Sequence, residues 1–189
     1  MSVLIIGLIL FLGIHSVRIA APDWRNRRIA VMGEGPWKGL YSLVSIIGFV
    51  LIVWGYGVAR PEAPVFYEPP LWMKHVTALL MIFAFISLAI YAVPAGRLKP
   101  MLKHPMLVAI KIWALAHLLA NGDLASVLLF GTFLVWAVFD RVSVKRRAAP
   151  IPAVGPALND VIAIVGGLIV YVLFVWRLHE WLFGVMPLQ

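Results

Sequence analysis

Six apolar stretches organise the chain, at roughly 2–21, 40–59, 71–93, 106–120, 124–139 and 158–178. A helix needs about 20 apolar residues to cross a hydrocarbon layer of ~30 Å. In lipid the backbone must satisfy its own hydrogen bonds, which confines spanning structures to helices and closed barrels. The pattern predicts an all-α, polytopic integral membrane protein, a bundle of about six transmembrane helices. Six such spans use roughly 120 residues, and the 189-residue chain then has only loops to spare. It reads as a single transmembrane domain over 1–189. Composition agrees: 63% of the residues are hydrophobic and 13% charged, against about 25% charged in soluble domains. The N-terminus, Met1-Ser2-Val3-Leu4, has no basic side chain ahead of its apolar run and reads as a retained first span, not a cleavable signal.

Loop charges predict orientation. Arg25, Arg27, Arg28 and Lys38 fall in the first loop; Arg97, Lys99 and Lys103 in the third; Arg141, Lys145, Arg146 and Arg147 in the fifth. Those eleven are most of the 16 basic residues, and only Arg60, Lys74 and Arg177 belong to the opposite side. Basic short loops stay cytoplasmic. Loops one, three and five are therefore expected inside, with both termini outside, as an even number of spans requires. The net charge of +8 is read as this loop bias and not as a nucleic-acid surface.

The fourth and fifth stretches are separated only by Asn121-Gly122-Asp123, predicted as a tight turn. Gly122 is expected in the left-handed region after one helix and Asp123 as the cap of the next. Pro105 suits the first turn of the fourth helix, where no N–H is needed. The Pro-rich segment 148–156 reads as a linker to the last span.

Several chemistries are excluded. No cysteine is present, so disulfides, thiolate metal sites and cysteine nucleophiles are ruled out. There is no Gly-rich phosphate loop, HExxH pair or GxSxG elbow.

Polar groups at membrane depth are costly and therefore informative. His15 lies in the inner half of the first span and His117 late in the fourth, and their expected depths differ by only about 9 Å. Two such imidazoles on facing helices could clasp a flat cofactor, and imidazole is the usual ligand of haem iron. The commoner alternative is that each hydrogen-bonds a neighbouring helix. Trp113, His117 and Asn121 share one helix face, with Trp113 as either an aromatic wall or ordinary packing. Arg18 and Lys111 could neutralise an anionic group between helices or snorkel to the interface. His104 is expected as a cap or anion contact at a cytoplasmic helix start. His75 and His179 read as interfacial.

The segments Lys103-His104-Pro105-Met106, Ile112-Trp113-Ala114-Leu115-Ala116-His117 and Asn121-Gly122 resemble the NnrU family and the related zeta-carotene isomerases. Gly13-Ile14-His15-Ser16, Gly39-Leu40-Tyr41-Ser42, Trp136 and Asp140-Arg141 are similar too. The resemblance covers about 1–145 and leaves the last helix, about 158–178, as an addition. It implies a bacterial inner-membrane protein associated with nitrite and nitric oxide reduction (denitrification). By analogy with the isomerases it implies haem b, with His15 and His117 as axial ligands of the iron. Propionates toward Arg18 and Lys111 would complete such a site. The resemblance also raises haem-dependent cis–trans isomerisation of a lipophilic polyene. The isomerases carry a cysteine where Ala114 stands, so a cysteine–histidine ligand exchange is impossible here. The His-Pro element is shared with membrane methyltransferases that use S-adenosylmethionine, though the paired Glu residues of that family are missing. A non-catalytic subunit or assembly factor of a larger membrane complex is the remaining alternative.

Overall fold

Among residues 1–188, which the computed structural model describes, five helices are long and apolar enough to cross a membrane, and a shorter apolar one accompanies them. These are α1 (Ser2–Ala20), α3 (Glu34–Ala59), α4 (Met73–Ala92), α6 (Pro105–Ala120), α7 (Leu124–Arg146) and α8 (Ala157–Leu173). Helix α8 continues through a π-helical turn, Phe174–Leu178, into α9 (His179–Phe183). The short helices α2 (Pro22–Met32) and α5 (Leu98–Leu102) lie in the first and third loops.

The first loop therefore holds a helix that hydropathy does not reveal. Its signals are local: Pro22 in the first turn and Asp23 beside the N-terminal dipole. Helix α7 runs past its apolar stretch to Arg146, with Lys145 and Arg146 against its negative C-terminal end. At 16 residues, α6 measures only about 24 Å. It is flanked by α5 at its start and the Asn121–Asp123 turn at its end.

The helices pack in a defined lateral order, α3–α1–α7–α6–α4–α8. Helix α7 stands between α1 and α6. In lipid the apolar effect does not drive helices together, so close approach of small residues does. Ala114, Ala116, Ala125 and Ala137 are fully buried. Large side chains such as Ile9, Ile46, Phe139 and Leu158 face outward with at least 60% of their surface exposed. Helices α1 and α3 touch backbone to backbone at Gly7, Gly48 and Gly55, and Gly167 brings α8 onto Ile86 of α4. Gly166 has open space beside it, so of the last helix's glycine pair only Gly167 serves the bundle.

The turn between α6 and α7 departs from expectation in one respect. Asp123 caps α7, accepting the Ser126 N–H at 2.8 Å and the Ser126 hydroxyl at 2.6 Å. Gly122, however, is not left-handed: the positive-φ glycines are Gly33 and Gly184. Asn121 is already extended and turns the chain. Glycine is required at 122 for a different reason, because any Cβ would strike the Tyr67 carbonyl. The second loop returns over this turn, with Phe66 N–H on Gly122 O (2.8 Å) and Leu124 N–H on Pro64 O (2.9 Å).

A polar knot closes this end of the bundle. Arg60 donates to Asn121 Oδ1 (2.9 Å) and lies 3.7 Å from Asp123 Oδ2; Tyr56 shares a 2.8 Å hydrogen bond with Ser126. Asp123→Ala removes the cap and leaves Arg60 without its carboxylate. Loss of the cap alone costs about 1–2 kcal/mol. The expected result is a lower unfolding temperature in detergent, largely restored by Asp123→Asn, which keeps an accepting oxygen.

Candidate functional site

Two cavities flank the α7–α6 layer, and the candidate residues divide between them. The first, of about 360 Å³, lies between α4, α6 and the α8–α9 segment. Its walls are almost entirely apolar, with Met81, Phe85, Trp113 and Phe174 among them, and His117 is the side chain at its back. Lys74 and His179 also line it. The π turn at the end of α8 supplies Phe174 and Val175 to this wall. His117 Nδ1 lies 2.8 Å from the Trp113 carbonyl one turn back. A carbonyl only accepts, so in the neutral ring Nδ1 carries the proton and Nε2 keeps its lone pair. Phe130 stacks on the imidazole with centroids 4.7 Å apart, and Trp113 sits at 5.5 Å.

The second cavity, of about 690 Å³, lies at the end where the odd-numbered loops gather. His15, Arg18, Lys103, His104 and Trp136 line it. His15 is held as His117 is, with Nδ1 2.6 Å from the Phe11 carbonyl. Burial, followed by the Arg141 guanidinium, holds the His104 imidazole below its ordinary range, so it is neutral at pH 7.

The structure therefore does not bring His15 and His117 to one cavity. Between them runs a line of rings: Phe11 stacks on His15 at 4.3 Å, Phe133 lies 5.8 Å from Phe11, and Trp113 lies 5.5 Å from Phe133. The two depths differ as hydropathy suggested. His117 meets α7 at Phe130 and His15 meets it at Trp136, six positions or about 9 Å along the helix. Similar depth does not make the helices neighbours, and α7 stands between them. Trp113 lines the first cavity beside His117 and also packs against Phe130 and Phe133. Arg18 sits at the second cavity with His15, while Lys111 lines neither. Ala114 points into the core, fully buried with Leu4 and Phe130, and not into the cleft. His75 is exposed at its helix start, as expected of an interfacial residue.

Sequence reading counted Lys74 among the outer-side basic residues and His179 as interfacial, and left both out of the site. The signal for His179 would have been the length of the last helix, which reaches Phe183.

The donor set suits some metals and not others. Among the described residues no group of three or more His, Asp or Glu side chains could hold a bare ion. Single imidazoles with a free Nε2 suit iron that arrives already held in a macrocycle. The apolar cleft at His117 is within the size of small-molecule pockets, about 300–1,000 Å³, and its Trp113 and Phe85 walls suit a flat apolar ring. One imidazole among apolar walls is the kind of lining that would suit haem b.

Fold and cavities define a polytopic α-helical membrane protein with a histidine-backed, lipid-side cleft. The chain belongs to the NnrU family: NnrU protein matches residues 3–187. The match extends beyond residue 145 and takes in α8 and α9, so the last helix is part of the family's fold. No curated protein and no solved structure matches the chain.

Proposed function

We propose that this chain is a haem b-binding protein of the bacterial inner membrane that supports nitrite and nitric oxide reduction. One observation carries the reading: His117 faces an apolar cleft with its Nδ1 tied to a backbone carbonyl and its Nε2 free. That backbone bond is the outer-shell contact that orients metal-bound histidines. His117 would be the axial ligand, Trp113, Phe85 and Phe174 the walls, and Lys74 and His179 the polar rim. A haem held there would supply one-electron redox chemistry. The protein residues exclude water and fix the imidazole in one tautomer. Protein purified from haem-replete cells is expected to show a Soret band that shifts on dithionite reduction; protein without such a band would refute the reading.

The cleft's apolar lining favours a second reading, isomerisation of a lipophilic polyene. Leu88 and Phe183 line the cleft and are about half exposed on the helix surface, which gives lipid access. Expression in cells accumulating a cis-carotene tests this. An unchanged isomer profile with haem bound would dismiss it.

Orientation follows from the same end of the bundle that gathers the basic loops. We place it in the cytoplasm, with both termini periplasmic. Reporter fusions near Arg28, Glu62 and Arg146 are expected to report cytoplasm, periplasm and cytoplasm in turn. The opposite pattern would invert the molecule.

A further inference from the structure

The larger cavity, at the basic end, is not used by the haem reading. We propose that it is a binding site for an organic phosphate, whose phosphate group sits among the basic side chains and the Trp136 and Arg147 N–H groups.

Charge is the first support. Arg18, Arg25, Lys38, Lys99, Lys103 and Arg147 line the cavity against two carboxylates, Glu34 and Asp140. Lys38 is paired with Glu34 at 2.9 Å and Arg147 lies 3.7 Å from Asp140. Lys99 is held on the Tyr91 and Val93 carbonyls. Arg18, Arg25 and Lys103 make no ion pair among the described residues. The excess is four positive charges, and the basic side chains come from α1, α2, α3, the α5 segment and the end of α7 around one space.

Unmet donors are the second support, independent of charge. Trp136 Nε1 and Arg147 Nε are buried N–H groups with no partner among the described residues, and both residues line this cavity. Buried donors nearly always have an acceptor. The Arg147 guanidinium is fixed by the Ser143 hydroxyl (2.8 Å) and the Arg18 carbonyl (3.1 Å), so it cannot turn to find one. A ligand with several acceptor oxygens and a double negative charge answers both features. Phosphate does so better than a carboxylate, which has two oxygens and one charge.

Size says the phosphate is esterified. At about 690 Å³ the space far exceeds an inorganic ion, a water occupying about 30 Å³. Tyr41, Tyr91 and Trp37 offer apolar faces to the remainder. The ester could be an anionic lipid headgroup from the inner leaflet or a soluble phosphoester.

Calorimetry on the full chain in a neutral maltoside detergent decides, with phenyl phosphate, dihexanoyl phosphatidic acid and benzoate as probes. Saturable binding of one phosphate probe per chain is expected, and benzoate should bind at least tenfold more weakly. Trp136→Phe removes only the indole N–H, so it tests the donor without emptying the core. It should weaken phosphate binding about tenfold, as loss of a hydrogen bond to a charged acceptor does. Arg147→Gln should weaken it further. Arg27→Gln, exposed on α2 and outside the cavity lining, should change affinity less than twofold. Tighter binding of phosphatidic acid identifies a lipid; tighter phenyl phosphate identifies a soluble ester. No saturable binding, equal binding of benzoate, or Trp136→Phe and Arg27→Gln behaving alike would overturn the proposal. None of these readouts involves haem, so the two readings fail separately.

Discussion

His117→Ala is expected to abolish the Soret band of protein purified from haem-replete cells, while His15→Ala leaves it in place. The cleft at His117 has apolar walls, with a second imidazole, His179, only at its rim, so the alanine variant offers no other nitrogen from α6. Losing the imidazole proposed as the ligand should lower haem occupancy at least tenfold, in line with the several kcal/mol that metal–imidazole bonds contribute. His15 faces the other cavity, beyond Phe11, Phe133 and Trp113. A single axial imidazole predicts a high-spin, five-coordinate ferric spectrum. The family resemblance instead implies both histidines on one iron, which requires a low-spin spectrum and loss of the band in either variant. That outcome would mean the rings between the two sites move aside when haem binds. His117→Ala with an unchanged band would remove His117 from the site altogether.

The second large effect lies at a helix contact outside the lining of either cavity. Gly48→Leu is expected to leave no monodisperse folded protein after detergent extraction. A Cβ at Gly48 would lie 2.7 Å from the Phe11 backbone nitrogen and 3.0 Å from its Cα. The obstacle is backbone of α1, which no rotamer change relieves, so the helices must part along their length. Even alanine should cost about 1–3 kcal/mol, the usual penalty of overpacking, and leucine more than 4 kcal/mol. Gly57 on the same helix has nothing within 4 Å. Gly57→Ala should be neutral or raise stability by up to about 1 kcal/mol through helix propensity. Thermal unfolding followed by fluorescence-detected size exclusion separates the three variants. Similar behaviour of Gly48→Leu and Gly57→Ala would show that the α1–α3 contact does not hold the bundle together.

Much of the molecule is legible in one dimension. Hydropathy marks the crossing segments because lipid accepts long apolar helices wherever they occur in the chain. Pro105 and Asp123 announce helix starts through local chemistry that does not depend on what packs nearby. The alternation of basic loops shows which helix ends lie together, and the structure gathers Arg18, Lys103 and Arg147 at one end accordingly. Depth is also one-dimensional, which is why the offset between His15 and His117 could be read before any helix was placed.

Lateral order is another matter. In lipid every span is equally apolar on the outside, so hydropathy carries no information about which helix touches which. Backbone contact at Gly7, Gly48 and Gly55 joins α1 to α3, and contact at Gly167 joins α8 to α4; both depend on residues distant in sequence. Only that packing puts α7 between α1 and α6, sends His15 and His117 to different cavities, and turns Ala114 into the core. The same packing brings Lys74 and His179 to the His117 cleft and leaves the Trp136 and Arg147 N–H groups unmet. Each of these is a relation between helix faces, and a face has no identity until its neighbour is in place.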